Sequence, residues 1–225
     1  MISRTRLSIH QPAALKAGML NTPVPLFDNM QIGGAAMTFE RNAEIYGEGE
    51  SADYVYKVLK GSVRTYKVLS DGRRQVTAFF LPGDVFGIES EDEHSNSAEA
   101  IDKSVILLVR RSSLFNLAES NGEVARHLWE ITAAELRRSQ DHALLLIKTA
   151  KERLAAFLLD MAKRLAGKGC LELPMSRQDI ADYLGLTIET VSRTLTLLSE
   201  GSTIQFLASR RIVLRNPSEL DELNA

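Results

Sequence analysis

The chain has 225 residues, 44% of them apolar and 25% charged, with 27 Lys and Arg against 29 Asp and Glu and a formal charge of −2. That is enough for one large domain or two small ones, each with a core of its own. The single cysteine excludes a disulfide framework, a four-cysteine zinc site and a four-cysteine iron–sulfur cluster. No apolar run approaches the roughly 18 residues of a membrane span, and no secretory h-region opens the chain. A cytoplasmic protein without membrane contact is expected, and the near-neutral charge gives no global sign of a nucleic-acid partner.

Residues 1–30 mix Pro12, Pro23 and Pro25 with small and polar residues and read as a loosely ordered arm. From 31 to 111 short alternating segments are divided by turn signals at Gly47-Glu-Gly49, Lys60-Gly61, Asp71-Gly72 and Pro82-Gly83-Asp84. Asp71-Gly72 between the alternating runs 62–68 and 74–79 is a strong hairpin signal, because the turn needs positive φ. A last run at 104–109 closes what reads as an antiparallel β-roll of the jelly-roll kind. The period then changes from two to 3.6. Residues 112–148 contain no proline and only Gly122, and Val124, Leu128, Ile131, Leu136, Leu145 and Leu146 recur at helical offsets, with Val124, Leu128, Ile131 and Leu145 expected at a dimer seam. One helix of that length outruns a small β domain at about 1.5 Å per residue. It is expected to pack on a second copy of itself, making a homodimer. Thr149 and Glu152 fit a capping box, so a C-terminal domain over 149–225 begins there, and Gly167-Lys-Gly169 ends its first helix.

Within that domain Ser176 and Asp179 fit a cap, Gly185 a tight turn and Thr187 a second cap. Counted from Arg177, Ala181 is fifth, Gly185 ninth and Val191 fifteenth. A small residue where two helices cross, a glycine at the turn and an apolar plug in the second helix make the helix-turn-helix pattern. Glu189 and Arg193 then share one face of the second helix, with Ser192 beside them. Arg193 can bond guanine O6 and N7, Glu189 can accept from the paired cytosine, and Ser192 can meet a neighbouring base. The bland alternative is an exposed salt bridge between Glu189 and Arg193, worth about a few tenths of a kcal/mol. Two short strands downstream, 203–207 and 211–214, read as a wing. Arg210, Arg211 and Arg215 cluster there with no acid between Gly201 and Asn216, a local phosphate-contacting patch. Backbone contacts are expected from Arg177, Thr187, Thr190, Arg210 and Arg211.

A β-roll, a long helix and a winged helix-turn-helix in this order resemble the cyclic-AMP receptor / fumarate-nitrate regulator (Crp/Fnr) family of bacterial transcription factors. The segment Glu189-Thr-Val-Ser192-Arg193 is similar to the E-x-x-S-R signature of the fumarate-nitrate branch, and Ile188 stands where the cyclic-AMP branch has an arginine. The blocks Arg41-Asn-Ala-Glu-Ile-Tyr-Gly-Glu48, Leu69-Ser-Asp-Gly-Arg-Arg-Gln75 and 176–187 are more similar still to the FixK group. The resemblance implies an α+β fold, a homodimer on a TTGAT-N4-ATCAA palindrome and recruitment of RNA polymerase. It further implies control of microaerobic, denitrification or nitrogen-fixation genes.

The switch is a separate question, because fold does not carry ligand. The family's nucleotide-binding arginine precedes a serine, and this chain has Asn96-Ser97 at the matching place. No arginine lies between Arg74 and Arg110, while Glu89, Glu91, Asp92 and Glu93 crowd the same loop and repel an anion. Neither cyclic AMP nor an iron–sulfur cluster is expected, and His10, His94, His127 and His142 show no metal-ligand spacing. No cofactor or metal is therefore assigned. The alternative on the same scaffold is an effector- or redox-gated regulator, with an unidentified β-roll ligand or oxidation of Cys170 as the switch. An enzyme has no support: no P-loop, G-x-S-x-G or H-E-x-x-H occurs. Residues 149–225 carry ten bases and ten acids, so any attraction to DNA is local rather than global.

Overall fold

The computed structural model describes residues 33–165 and 170–224. The arm over 1–30 and the expected helix end at Gly167-Lys-Gly169 lie outside them. In chain order the described residues form β1 (Gly34–Phe39), β2 (Glu44–Tyr46), β3 (Tyr54–Lys60), β4 (Val63–Val68), β5 (Arg74–Phe80), β6 (Val85–Phe86), β7 (Ser97–Ala100) and β8 (Ser104–Arg110). Helices α1 (Arg111–Ser120), α2 (Gly122–Leu145) and α3 (Ala150–Arg164) follow. The chain then runs through β9 (Leu171–Glu172), α4 (Arg177–Leu184), α5 (Ile188–Glu200), β10 (Ile204–Ala208), β11 (Arg211–Leu214) and α6 (Pro217–Asn224).

The first eight strands make two four-stranded antiparallel sheets, ordered β1-β8-β3-β6 and β2-β7-β4-β5. Alternation along each strand sends one set of side chains inward. Met37, Phe39, Tyr56, Val58, Val63, Phe80, Phe86 and Ile106 fill the space between the sheets. The expected hairpin is β4–β5, paired from Val63↔Phe80 to Val68↔Arg74. Gly72 takes φ +83° there, and the Asp71 carboxylate accepts from the Arg73 amide at 3.0 Å. A bulge between Thr65 and Tyr66 leaves Thr77 facing Thr65, their hydroxyls 2.9 Å apart.

The single helix expected over 112–148 is two. Asn121 leaves helical geometry at φ −132°, ψ 102°, and its side chain accepts from the amides of Glu123 and Val124. Asparagine is a strong N-cap, and the glycine beside it weakens a helix interior, so the chain restarts here. Val124 is fully enclosed, packing with Leu114 against Val55, Val85, Leu107 and Val109 of the β-roll, while Leu128 and Ile131 are partly covered by the same cluster. The stripe read as a dimer seam therefore contacts its own protomer. Val124 is not available to a second copy. Leu145 is likewise half-buried, packed against the C-terminal core.

That C-terminal core joins α3, α4, α5, α6 and the three-stranded sheet β10-β11-β9 through Leu154, Phe157, Leu158, Met175, Leu184, Leu195 and Ile212. Val76, Phe79 and Ile101 of the β-roll belong to the same cluster. Phe79 meets Tyr183 and Phe157 with ring centroids 5.1 and 6.2 Å apart. The two halves thus share one apolar core.

Candidate nucleic-acid interface

The helix-turn-helix is built by local hydrogen bonds that the sequence encodes. Ser176 Oγ accepts from the Asp179 amide at 3.1 Å, and Asp179 Oδ2 accepts from the Ser176 amide at 3.0 Å, a reciprocal cap on α4. Gly185 ends α4 at φ 62°, ψ 40°, where any Cβ is strained. Thr187 then caps α5, its Oγ1 accepting from the Thr190 amide at 3.2 Å. Ala181 and Val191 are fully buried where the two helices cross, as their places in the pattern require.

Burying Val191, Thr194, Leu195 and Leu198 turns the opposite face of α5 outward. Glu189 and Arg193 are exposed on it and Ser192 is half-exposed. The expected face is formed. No ion pair joins Glu189 to Arg193, and no other protein group among the described residues pairs with the Arg193 guanidinium. The Glu189 carboxyl is held below the ordinary carboxylate range by its own backbone amide and the Thr187 hydroxyl, so it is an ionised acceptor. Arg177 is turned inward: Nη1 donates to Ser192 Oγ at 3.3 Å, and the guanidinium lies over the Phe206 ring of the wing, 5.7 Å from its centroid. With Oγ accepting from Arg177, the Ser192 proton is left to donate to a base.

The wing is β10–β11, with β9 as a third strand that the sequence pattern does not show. Arg211 is exposed on β11. Arg210 is half-buried and donates to the Pro174 carbonyl at 3.0 Å, so it anchors the wing to the segment before α4. Arg215 pairs with the Gln205 side-chain carbonyl, through Nε at 2.8 Å. Sequence reasoning misses Arg153. Its Nε donates to the Lys148 carbonyl at 2.8 Å and Nη1 to the Leu184 carbonyl at 2.7 Å, tying the turn of the motif to the hinge before α3. No sequence signal marks it, because its second partner is 31 residues away.

The possible redox residue and the histidines lie apart from this face. Cys170 is half-buried, free and immediately before β9. His94 is buried, stacked on Tyr46 with centroids 3.6 Å apart, and His142 is stacked on Tyr183 at 4.0 Å. No group of three or more His, Cys, Asp or Glu among the described residues is arranged to hold a metal. No helix among the described residues is long and apolar enough to cross a membrane. A groove of about 800 Å³ runs between the β-roll, α2 and α3, bordered by Thr65, Thr77, Glu89 and Asn96. Uncovered apolar side chains on α2 are Trp129, Leu136 and Leu144, continued by Ile147 beyond its end.

Comparison with known proteins places this architecture. The family model of the Crp-like helix-turn-helix domain matches residues 152–223, and that of the cyclic nucleotide-binding domain matches residues 36–121. The nitrogen fixation regulation protein FixK of Azorhizobium caulinodans is 50% identical over 198 residues, covering 85% of this chain and 80% of that protein. FixK of Rhizobium meliloti is 44% identical over 83% of this chain and 85% of that protein. The solved structure of FixK2 from Bradyrhizobium japonicum superposes with a TM-score of 0.84 at 54% identity, covering 86% of this chain and 98% of that one. The chain belongs to the Crp/Fnr family and is a DNA-binding transcription regulator of the FixK type, not an enzyme.

On its β-roll side the groove is lined by Thr65, Thr77, Glu89, Ser95 and Asn96, with no Lys or Arg among the described lining residues there. Asn96, at the place where the resemblance implies an arginine, is engaged with Thr77 at 3.4 Å and Ser95 at 3.0 Å. Glu89 adds a carboxylate, accepting from the Ser95 amide and hydroxyl. The arginines bordering the groove, Arg138 and Arg164, are already paired with Glu135, Asp84 and Asp160.

Proposed function

We propose that two copies of the chain bind a TTGAT-N4-ATCAA-type palindrome and activate transcription by recruiting RNA polymerase, without cyclic AMP or an iron–sulfur cluster. The genes it controls are those of microaerobic, denitrifying or nitrogen-fixing metabolism, in keeping with the relatives' names. The observation that carries this reading is the outer face of α5, where Glu189, Ser192 and Arg193 stand together unpaired with one another. Arg193 donates to guanine, Glu189 accepts from the paired cytosine, and Ser192 donates to an acceptor on the adjacent pair. Arg211 contacts a phosphate of the flanking backbone.

The two-fold contact is assigned to the uncovered stripe of α2, which holds Leu136 of the periodic residues but not Val124. Trp129 and Leu136 are seven residues apart, so they repeat on one face of the helix, and both are more than half exposed. A self-complementary stripe of this kind suits an isologous interface. Selection of binding sites from random DNA with purified protein and no added small molecule tests the proposal. A two-fold site with a G·C pair in each half is expected. A single unrepeated motif, or binding only after a nucleotide is supplied, overturns it.

A further inference from the structure

Both carboxylate oxygens of Asp179 are in use. Oδ2 closes the first turn of α4 through Ser176. Oδ1 faces the β-roll, 3.1 Å from Arg64 Nη1 and 2.7 Å from Arg74 Nη2. Arg74 also reaches Asp182 Oδ2, through Nε at 2.9 Å and Nη2 at 2.8 Å. Arg64 is only 6% exposed and is anchored in its own sheet by Glu99 at 2.6 Å. One residue along β5, Gln75 Nε2 donates to the Tyr183 carbonyl at 3.2 Å. The same carbonyl meets His142 Nε2 of α2 at 2.7 Å. The first helix of the DNA-binding motif is therefore gripped by the β4–β5 hairpin and by α2 together.

The shared apolar core holds the two halves together without directional bonds at α4, and this grip adds the directional contacts that fix the angle of the motif across the hinge between α2 and α3. With it, α5 has one orientation relative to α2, the helix carrying the exposed stripe. In a two-fold complex that orientation fixes how far apart the two recognition helices lie. Each base pair added between half-sites moves the second one by about 3.4 Å and turns it by about 35°. A rigid grip cannot follow such a change, whereas a loose hinge can. We propose that Arg74, with Arg64, Asp179 and Asp182, is a set of positioning residues that determines the half-site spacing the regulator accepts. These side chains act through α4 and touch no base. The inference rests on the dimer-on-palindrome reading above.

The test is titration of full-length protein onto DNA carrying TTGAT and ATCAA separated by three, four, five or six base pairs, and onto one half-site alone. The intact protein is expected to prefer one spacer and to lose about tenfold or more in affinity per base pair of error, as two-site avidity is lost. Arg74→Ala and Asp182→Asn are expected to shrink that penalty to about threefold or less, with half-site affinity unchanged. Arg74→Lys, which keeps the charge, is expected to keep the preference. A spacer profile unaltered in both loss variants overturns the proposal, as does an equal loss on every DNA including the half-site. Intact protein that binds half-sites but ignores the spacer removes the two-fold reading itself, and this inference with it. Asp179 is left alone because its loss would uncap α4.

Discussion

Arg193 stands on the outer face of α5 with no protein partner among the described residues, so its guanidinium is free to donate to the base that the proposed reading gives it. Arg193→Ala is expected to cost about 1–3 kcal/mol on the specific site and to relax discrimination at one G·C pair, read by titration against single-base variants. Arg211, exposed on the wing, is the residue proposed to meet phosphate. Arg211→Ala is expected to weaken binding evenly across sequences and to lower the salt slope by about 1. Arg210 looks equivalent in sequence but differs in structure, since its bond to the Pro174 carbonyl ties down the wing. The Glu189, Ser192 and Arg193 face is legible because helical spacing alone brings those residues together. The engagements of Arg153 with Leu184 and Arg177 with Phe206 are not, because each joins elements that meet only in the folded chain.

Among the elements, the caps are legible and the division of the long helix is not. Thr149, Ser176 and Thr187 all cap as their sequences indicate. The break at Asn121 carries no proline, so periodicity reads straight through it. Asn121→Ala removes the acceptor for two amides and is expected to lower stability by about 1 kcal/mol, measured as a shift in urea midpoint. The same helix shows the limit of periodicity. An apolar stripe says that a face is covered but not by what, and α2 has two such faces. Val124 faces the β-roll, while Trp129 and Leu136 face outward. Leu136→Asp is expected to give a folded monomer by light scattering, with weakened binding to a palindrome. If that variant stays dimeric, the outward stripe is not the seam.

At the scale of the whole molecule, burial governs two histidines. His142, between the β-roll and the C-terminal core, and His94, within the β-roll, both sit below the ordinary histidine value, each mainly because burial disfavours the imidazolium. As the pH falls, the unfolded chain therefore takes up these protons first, at about the reference value of 6.5, and the folded protein only later. Stability is full above that pH and falls as the pH drops through the folded values. Urea midpoints measured downward from about pH 7.5 are expected to decline, and less steeply in His142→Asn. The joint core explains why the domain boundary is easier to find than the domain relationship. The capping box marks where α3 begins, but nothing in the sequence shows that Phe79 and Tyr183 lie in contact.

The grip on α4 also bears on the order in which the protein is made. The β-roll leaves the ribosome first, and domains fold from the N-terminus as they emerge. Arg64, Arg74, Val76 and Phe79 are then in place before the residues of α4 are synthesised. The DNA-reading half is then expected to mature against a finished template, with its capping aspartate ion-paired and its aromatic residues covered by chain already folded. Residues 149–225 produced alone are expected to expose Phe157 and Tyr183 and to bind a hydrophobic dye that the full chain excludes.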